Sequence, residues 1–262
     1  TLNAVRFFIV FLAIILLVFL FEIKKLKNEF KLDTKTFIIL SLLIGLSLFL
    51  GSALQQVALL YTDVANAAFF TIFYVPIVPI IMFVFRKKSI HWSVWPSVVL
   101  CLIGGYLLTN FYDATVRLGD GLVLLGALFW STHIIFTGMI ITKYNLPLTI
   151  GAIQTLIVAF LSFLIGIIYE EFILTNILKE IDSILYAGIL SGGFAFVLQI
   201  YAQRNITPAP AAIIFSLEGV FATAAAWFLL NQILDINNLL GCFFILCGVL
   251  LSQLLPLMKK AY

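Results

Sequence analysis

The sequence predicts an all-α polytopic membrane protein, and three observations carry that prediction. The chain of 262 residues is 63% hydrophobic and only 10% charged, with a mean hydropathy of +1.19. Apolar runs long enough to cross a bilayer, about 20 residues each, recur along its whole length. The strict apolar–polar alternation of an outer-membrane barrel is absent. Cys101, Cys242 and Cys247 all lie inside apolar runs, with no CxxC pair and no His/Cys grouping. No disulfide framework, metal site or cofactor is therefore expected.

On the span-length ruler nine segments follow in order, at about 1–22, 36–58, 64–85, 93–111, 119–141, 148–169, 184–202, 208–231 and 235–258. The first ends at Lys24-Lys25-Lys27, and the second opens just past Asp33-Thr34-Lys35. The third runs between Asp63 and Arg86-Lys87-Lys88; the fourth follows His91-Trp92, an interfacial pair. The fifth begins after Arg117, the sixth after Pro147, the seventh after Asp182, the eighth at Pro208 and the ninth at Asp235.

The loops sort into two alternating sets. Lys24, Lys25, Lys27, Lys31, Lys35, Arg86, Lys87, Lys88, Lys143, Arg204, Lys259 and Lys260 fall in one set, twelve of the fifteen basic residues; Arg6, Arg117 and Lys179 fall in the other. The positive-inside rule places the larger set in the cytoplasm. Asp63, Asp113, Asp120, Glu170, Glu171, Glu180, Asp182 and Asp235 mostly follow the complement, while Glu22, Glu29 and Asp33 do not. The C-terminus is then cytoplasmic. The basic residues are juxtamembrane anchors with no interleaved aromatic patch, so nucleic acid is not an expected partner.

The chain also resembles itself. A shift of 144 residues lays LQQVALLYTDVANAA (54–68) on LQIYAQRNITPAPAA (198–212), and Leu102, Gly104 and Leu107 on Leu246, Gly248 and Leu251. Gln55 meets Gln199, a costly match because Gln is disfavoured in lipid. Each repeat would hold an odd number of spans, so the second is inserted upside down. The domains expected are a first repeat over 1–111 with four visible spans and a second over 119–258 with five. The parity leads to a further expectation: a span before Thr1, the first of ten, is missing, and the chain is an inverted repeat of five-helix units. Inverted repeats mark many secondary transporters, with substrate held near the midplane.

Three stretches, GDGLVLLGALFWSTHIIFTG (119–138), LSGGFAFVLQIYAQRNITPAPAAIIFSLEGVFA (190–222) and GCFFILCGVLLSQ (241–253), resemble the second half of an EamA-type transporter of the drug/metabolite transporter superfamily. The span opened by Arg6, and ALLYTDVANAAFF (58–70), resemble its first half. The resemblance implies ten spans in two inverted repeats and export of small metabolites. Gly219 stands where the family has Pro after the Glu.

Glu218 is a lone carboxylate in IIFSLEGVFATAAAW (213–227), about eight residues or roughly 12 Å into its span, near the midplane of a core about 30 Å thick. Its counterpart under the 144-residue shift is Tyr74. Trp130 and His133 share a helical face with Gly126 and Thr137, the pattern of a cavity wall. Gln55 and Asn66 lie near outer span ends, Gln199 and Gln203 near an inner one; they read either as gate groups or as interhelical hydrogen-bond partners. Phe70, in a Phe-rich span, could stack on an aromatic or cationic substrate. Each of these nine has a packing role as its competing reading.

The expected function is a secondary transporter, an exporter, of small organic metabolites such as amino acids, amines or carboxylates, working by alternating access. The competing reading is a non-transport membrane scaffold or receptor-like subunit. An enzyme is not expected, since no cluster of acids, His or nucleophiles is visible, and no phosphate-cradling loop suggests ATP. The expected partners are a small-molecule substrate, the lipid bilayer and a coupling proton carried by Glu218. The expected state is a monomer or homodimer, multi-pass in the cytoplasmic (inner) membrane of a bacterium.

Overall fold

The computed structural model describes residues 2–29, 33–87, 89–111, 115–170 and 174–258. Of the charged residues used above, Lys31, Lys88, Asp113, Glu171, Lys259 and Lys260 lie outside the described residues. Among the described residues all regular structure is helical. The spans are α1 (Leu2–Leu26), α2 (Thr34–Ala58), α3 (Val64–Val84), α4 (Val94–Leu108), α5 (Leu118–Tyr144), α6 (Pro147–Tyr169), α7 (Ile181–Ala202), α8 (Pro208–Leu230) and α9 (Ile236–Met258). Eight are long and apolar enough to cross a membrane; α4 is apolar but shorter.

Local chemistry sets the ends. Thr109 turns its hydroxyl back to the Gly105 carbonyl at 2.8 Å, and Asn110 takes a left-handed φ of 51°, so α4 stops three residues short of its expected end. Asn145 after α5 (φ 48°) and Asn231 after α8 (φ 50°) terminate their helices in the same way. Asn tolerates this conformation because its short side chain bonds locally. Asp33 begins α2, its Oδ1 accepting the Thr36 N–H at 3.1 Å.

The chain forms two compact units, one of Thr1–Leu50 with Phe136–Ile206, the other of Gly51–Ile135 with Thr207–Tyr262. Both draw on both halves of the sequence, and their boundaries fall inside α2 and α5.

In the first unit α1 packs against α6 and α7. Gly188 of α7 sits so close to α1 that a Cβ there would lie 3.3 Å from the Arg6 carbonyl oxygen, and one on Gly192 3.2 Å from Val10. The glycine-rich stretch Tyr186–Ala195 winds as a π-helix. Phe37, Ile44, Ile140, Tyr144, Ile150 and Ile200 belong to one buried cluster. Glu22, an exception to the acidic bias, is buried at the start of α6. It accepts Leu148 N–H at 3.0 Å and the Thr149 N–H and hydroxyl, both at 2.8 Å. A carboxylate there satisfies open N–H groups and meets the positive end of the helix dipole. At the other end of α5, Lys143 pairs with Asp33 at 2.6 Å. That hydrogen bond, then those from Thr36, hold the Asp33 carboxyl down at about 2.

In the second unit α4 and α9 pack closely. A Cβ on Gly104 would lie 2.7 Å from the Gly241 carbonyl oxygen, and one on Gly248 2.9 Å from that of Ser97. Small residues let backbones approach where lipid offers no hydrophobic drive to associate. The two contacts correspond under the 144-residue shift: Gly104 shifted by 144 is Gly248, and Gly241 shifted back is Ser97.

Candidate functional site

Two spans of the second unit are interrupted, each near its middle. The α3 span consists of Val64–Thr71 and Tyr74–Val84, with a break at Ile72 and Phe73. Pro76 causes it: proline has no N–H, and its ring displaces the carbonyl four residues back. That carbonyl, of Ile72, instead accepts the Val75 N–H at 2.9 Å. The α8 span consists of Pro208–Phe215 and Leu217–Leu230, broken at Ser216. No proline follows. Here the Ser216 hydroxyl takes the Ile213 carbonyl at 2.6 Å, the Ser216 N–H bonds the same oxygen at 3.3 Å, and the Gly219 N–H turns back to the Ser216 carbonyl at 3.3 Å. A serine competing for backbone carbonyls bends a helix, so the break forms without a proline. Residues 64–71 shifted by 144 are residues 208–215, the matching half of the other span.

Tyr74 and Glu218 stand just past these breaks. The Tyr74 hydroxyl points at Glu218 Oε1 from 3.5 Å, a long contact rather than a tight bond. The two side chains, 144 residues apart, are thus each other's neighbours. Tyr74 is 4% exposed, while Glu218 is exposed. From α5, the Ser131 hydroxyl lies 3.5 Å from the Tyr74 carbonyl oxygen and donates at 2.7 Å to Ala127. Ser131 was missed in the sequence, where the face read on α5 was that of Trp130.

The other candidates divide. Trp130 is half-buried, its indole lying against α2, where a Cβ on Gly51 would come within 3.2 Å of the ring. His133 is fully buried, its ring perpendicular to Trp130 at 6.1 Å. Phe70 belongs to an aromatic group with Phe73 (5.9 Å) and Phe111 (5.3 Å). Gln55 donates to the Thr71 hydroxyl at 3.2 Å. Asn66 is buried and its amide donates to the Thr115 carbonyl at 3.0 Å and to both Asp120 oxygens, at 3.3 and 3.1 Å. In the first unit, Gln199 is half-buried and Gln203 fully buried at the end of α7.

Asp120 is the centre that the sequence reading did not single out. It is 2% exposed and accepts from Thr62, from Asn66 and from the Arg117 N–H at 2.7 Å. An acidic residue at the third position of a helix, reaching back to the N–H that precedes it, is a capping-box signal legible in Arg117-Leu118-Gly119-Asp120. Beside it Arg117 grips Asp63 with both nitrogens, at 2.8 and 2.7 Å.

The geometry of two interrupted spans meeting in a tyrosine and a glutamate can now be set beside known proteins. Residues 117–254 match the model of the EamA-like transporter family. The chain belongs to that family. A protein of Archaeoglobus fulgidus named an uncharacterized transporter is 32% identical over 217 residues, 80% of this chain and 67% of its own length. The uncharacterized transporter YoaV of Bacillus subtilis is 24% identical over 95% of this chain and 85% of itself. A WAT1-related protein of Arabidopsis thaliana is 27% identical over half of the chain and 35% of its own length. A solved crystal structure superposes with a TM-score of 0.82 over 99% of this chain and 88% of the other; at 16% identity it shows the shared fold. The EamA-like chain described here is therefore a multi-pass membrane protein of a transporter family.

Proposed function

We propose that this EamA-like protein is a secondary transporter that exports small organic metabolites (amino acids, amines or carboxylates) by alternating access, across the inner membrane of a bacterium. Tyr74 and Glu218 are the centre of its substrate site. The observation that carries this is the meeting of two repeat-related polar side chains beside two helix breaks. Unwound backbone within a span is tolerated where it is buried in protein or lines a water-filled cavity, and paired breaks in the two halves point to a transporter's binding site. An exposed carboxylate in a bilayer core costs roughly 2.5–3.5 kcal/mol if it faces acyl chains. Exposure of Glu218 therefore supports contact with water or a ligand. The repeat-related packing of α4 and α9 supports inverted repeats over 1–111 and 119–258. Phe70 and Trp130 supply aromatic faces in the same unit, and a coupling proton would travel on Glu218. Gln55, Asn66, Gln199 and Gln203 are the proposed gate groups, with Asn66 and Gln55 also serving as interhelical hydrogen-bond donors. The purified chain in proteoliposomes, loaded with labelled amino acids, amines or carboxylates under a pH gradient, tests the reading. Saturable efflux of at least one compound is expected, and no flux across the panel would leave the scaffold reading.

A further inference from the structure

Resting on the reading of Tyr74 and Glu218 as the substrate site, we propose that the ligand taken there is an organic cation, an amine carried as its ammonium ion, rather than a carboxylate. The polar groups around the two breaks decide this. Glu218 offers a carboxylate with room for about four accepted hydrogen bonds. The Tyr74 hydroxyl approaches only to 3.5 Å and Glu218 as a residue is exposed, so hydrogen-bonding capacity is left on the carboxylate for a ligand. An ammonium, with up to three donors, fits it.

A carboxylate ligand would need cations or open N–H groups, and the breaks offer few. Among the described residues of this unit the side chains of fixed positive charge are Arg86, Lys87 and Arg117; of its histidines, His91 lies ahead of α4 and His133 is fully buried against Trp130. Arg117 is held by Asp63 through both nitrogens. Arg86 stands twelve residues beyond Tyr74, roughly 18 Å further along the helix. Several backbone donors at the breaks are engaged too. Val75 bonds Ile72 at 2.9 Å, Ile77 bonds Phe73 at 3.2 Å, and Pro76 between them has no N–H. In α8 the N–H groups of Ser216 and Gly219, and the Ser216 hydroxyl, are turned onto carbonyls of their own chain. The positive end of the second half of α8 already meets a negative charge, because Glu218 sits in its first turn. The Asn66 amide, one turn and a half before the α3 break, is committed to Asp120 and Thr115. What remains is one accessible anion, a phenol, and the aromatic faces of Phe70 and Phe73, which attract cations.

Size-matched pairs test the inference on the purified chain: butylamine and butyrate, phenethylamine and phenylpropanoate, tryptamine and indoleacetate, each followed by thermal shift and by displacement. At least one amine is expected to bind, its acid partner to bind at least about tenfold more weakly, and Glu218→Gln to weaken the amine about tenfold to a hundredfold. Tyr74→Phe keeps the carboxylate and should keep the preference. In the unaltered protein, amine protection should fade as the pH is lowered and a proton neutralises Glu218, a readout that needs no variant. Equal or tighter binding of the acids, amine binding indifferent to Glu218→Gln and to pH, or no amine binding in any pair overturns the inference. Its failure is separable from that of the transport reading. Flux of carboxylates without amine binding keeps the transporter and rejects the cation; Glu218-dependent amine binding without flux does the reverse.

Discussion

Two carboxylates in the same unit, Asp120 and Glu218, occupy opposite environments. Asp120 is 2% exposed and is satisfied by a threonine hydroxyl, an asparagine amide and a backbone N–H at the start of α5. Glu218 is exposed, with one contact of 3.5 Å. A buried anion must be surrounded by donors to exist at all. Its saturation then leaves nothing to offer a ligand. The comparison teaches that the fold has used up one carboxylate as a fastener and left the other open. Asp33 makes a third case, a half-buried carboxylate paired to Lys143.

The comparison breaks most visibly at Asp120. Replacing it by alanine orphans up to three donors at about 1–3 kcal/mol each, so Asp120→Ala should cost about 2–5 kcal/mol in denaturant or thermal unfolding. Glu218→Ala should change stability by less than about 1 kcal/mol, as for surface positions away from packing. Similar losses in the two variants would erase the distinction. A smaller effect is expected at Asn66, which gives Asp120 one of its donors. Asn66→Ala should cost about 1–2 kcal/mol and, at a gate group, also lower flux per folded molecule. Unchanged flux per folded molecule would leave Asn66 only its role as a hydrogen-bond donor to Asp120.

The smallest effect concerns Asp33. Its carboxyl is lowered in the folded protein to about 2, first by Lys143 and then by Thr36, against an ordinary value of about 3.9. A lowered pKa contributes stability above the unfolded value, and that contribution is lost as pH falls towards the folded one. Asp33→Asn should therefore melt slightly lower than the parent at neutral pH, and the gap should close as the pH drops from about 4 to about 2. A gap that widens on acidification would show that the pair has the opposite sign.

The spans were legible because crossing a bilayer demands a length of apolar chain that little else produces. Most expected limits, such as 64–85 against Val64–Val84 and 208–231 against Pro208–Leu230, agree within a residue or two. Neither break was read from the sequence: Pro76, which marks the one in α3, was passed over, and the one in α8 depends on which carbonyl the Ser216 hydroxyl chooses. The contact of Tyr74 with Glu218 joins two residues read as equally deep in their spans, though the contact itself was not read from the sequence. What covers a face was not readable: periodicity put His133 beside Trp130, where its ring stands, but spacing names a face without naming its neighbour, and full burial of His133 was not foreseen. The two compact units were equally hidden. All nine spans are apolar, so composition says little about which of them pack together, and the units cut across both halves of the chain.

The central claim, that Glu218 serves a ligand while Asp120 serves the fold, meets its most direct test in flux per folded molecule. Proteoliposomes holding Glu218→Gln, matched to the parent by melting temperature and by quantity of folded protein, should show transport reduced at least about tenfold, the loss of a charge-assisted hydrogen bond to substrate. Parental flux in that variant, at parental stability, would contradict it.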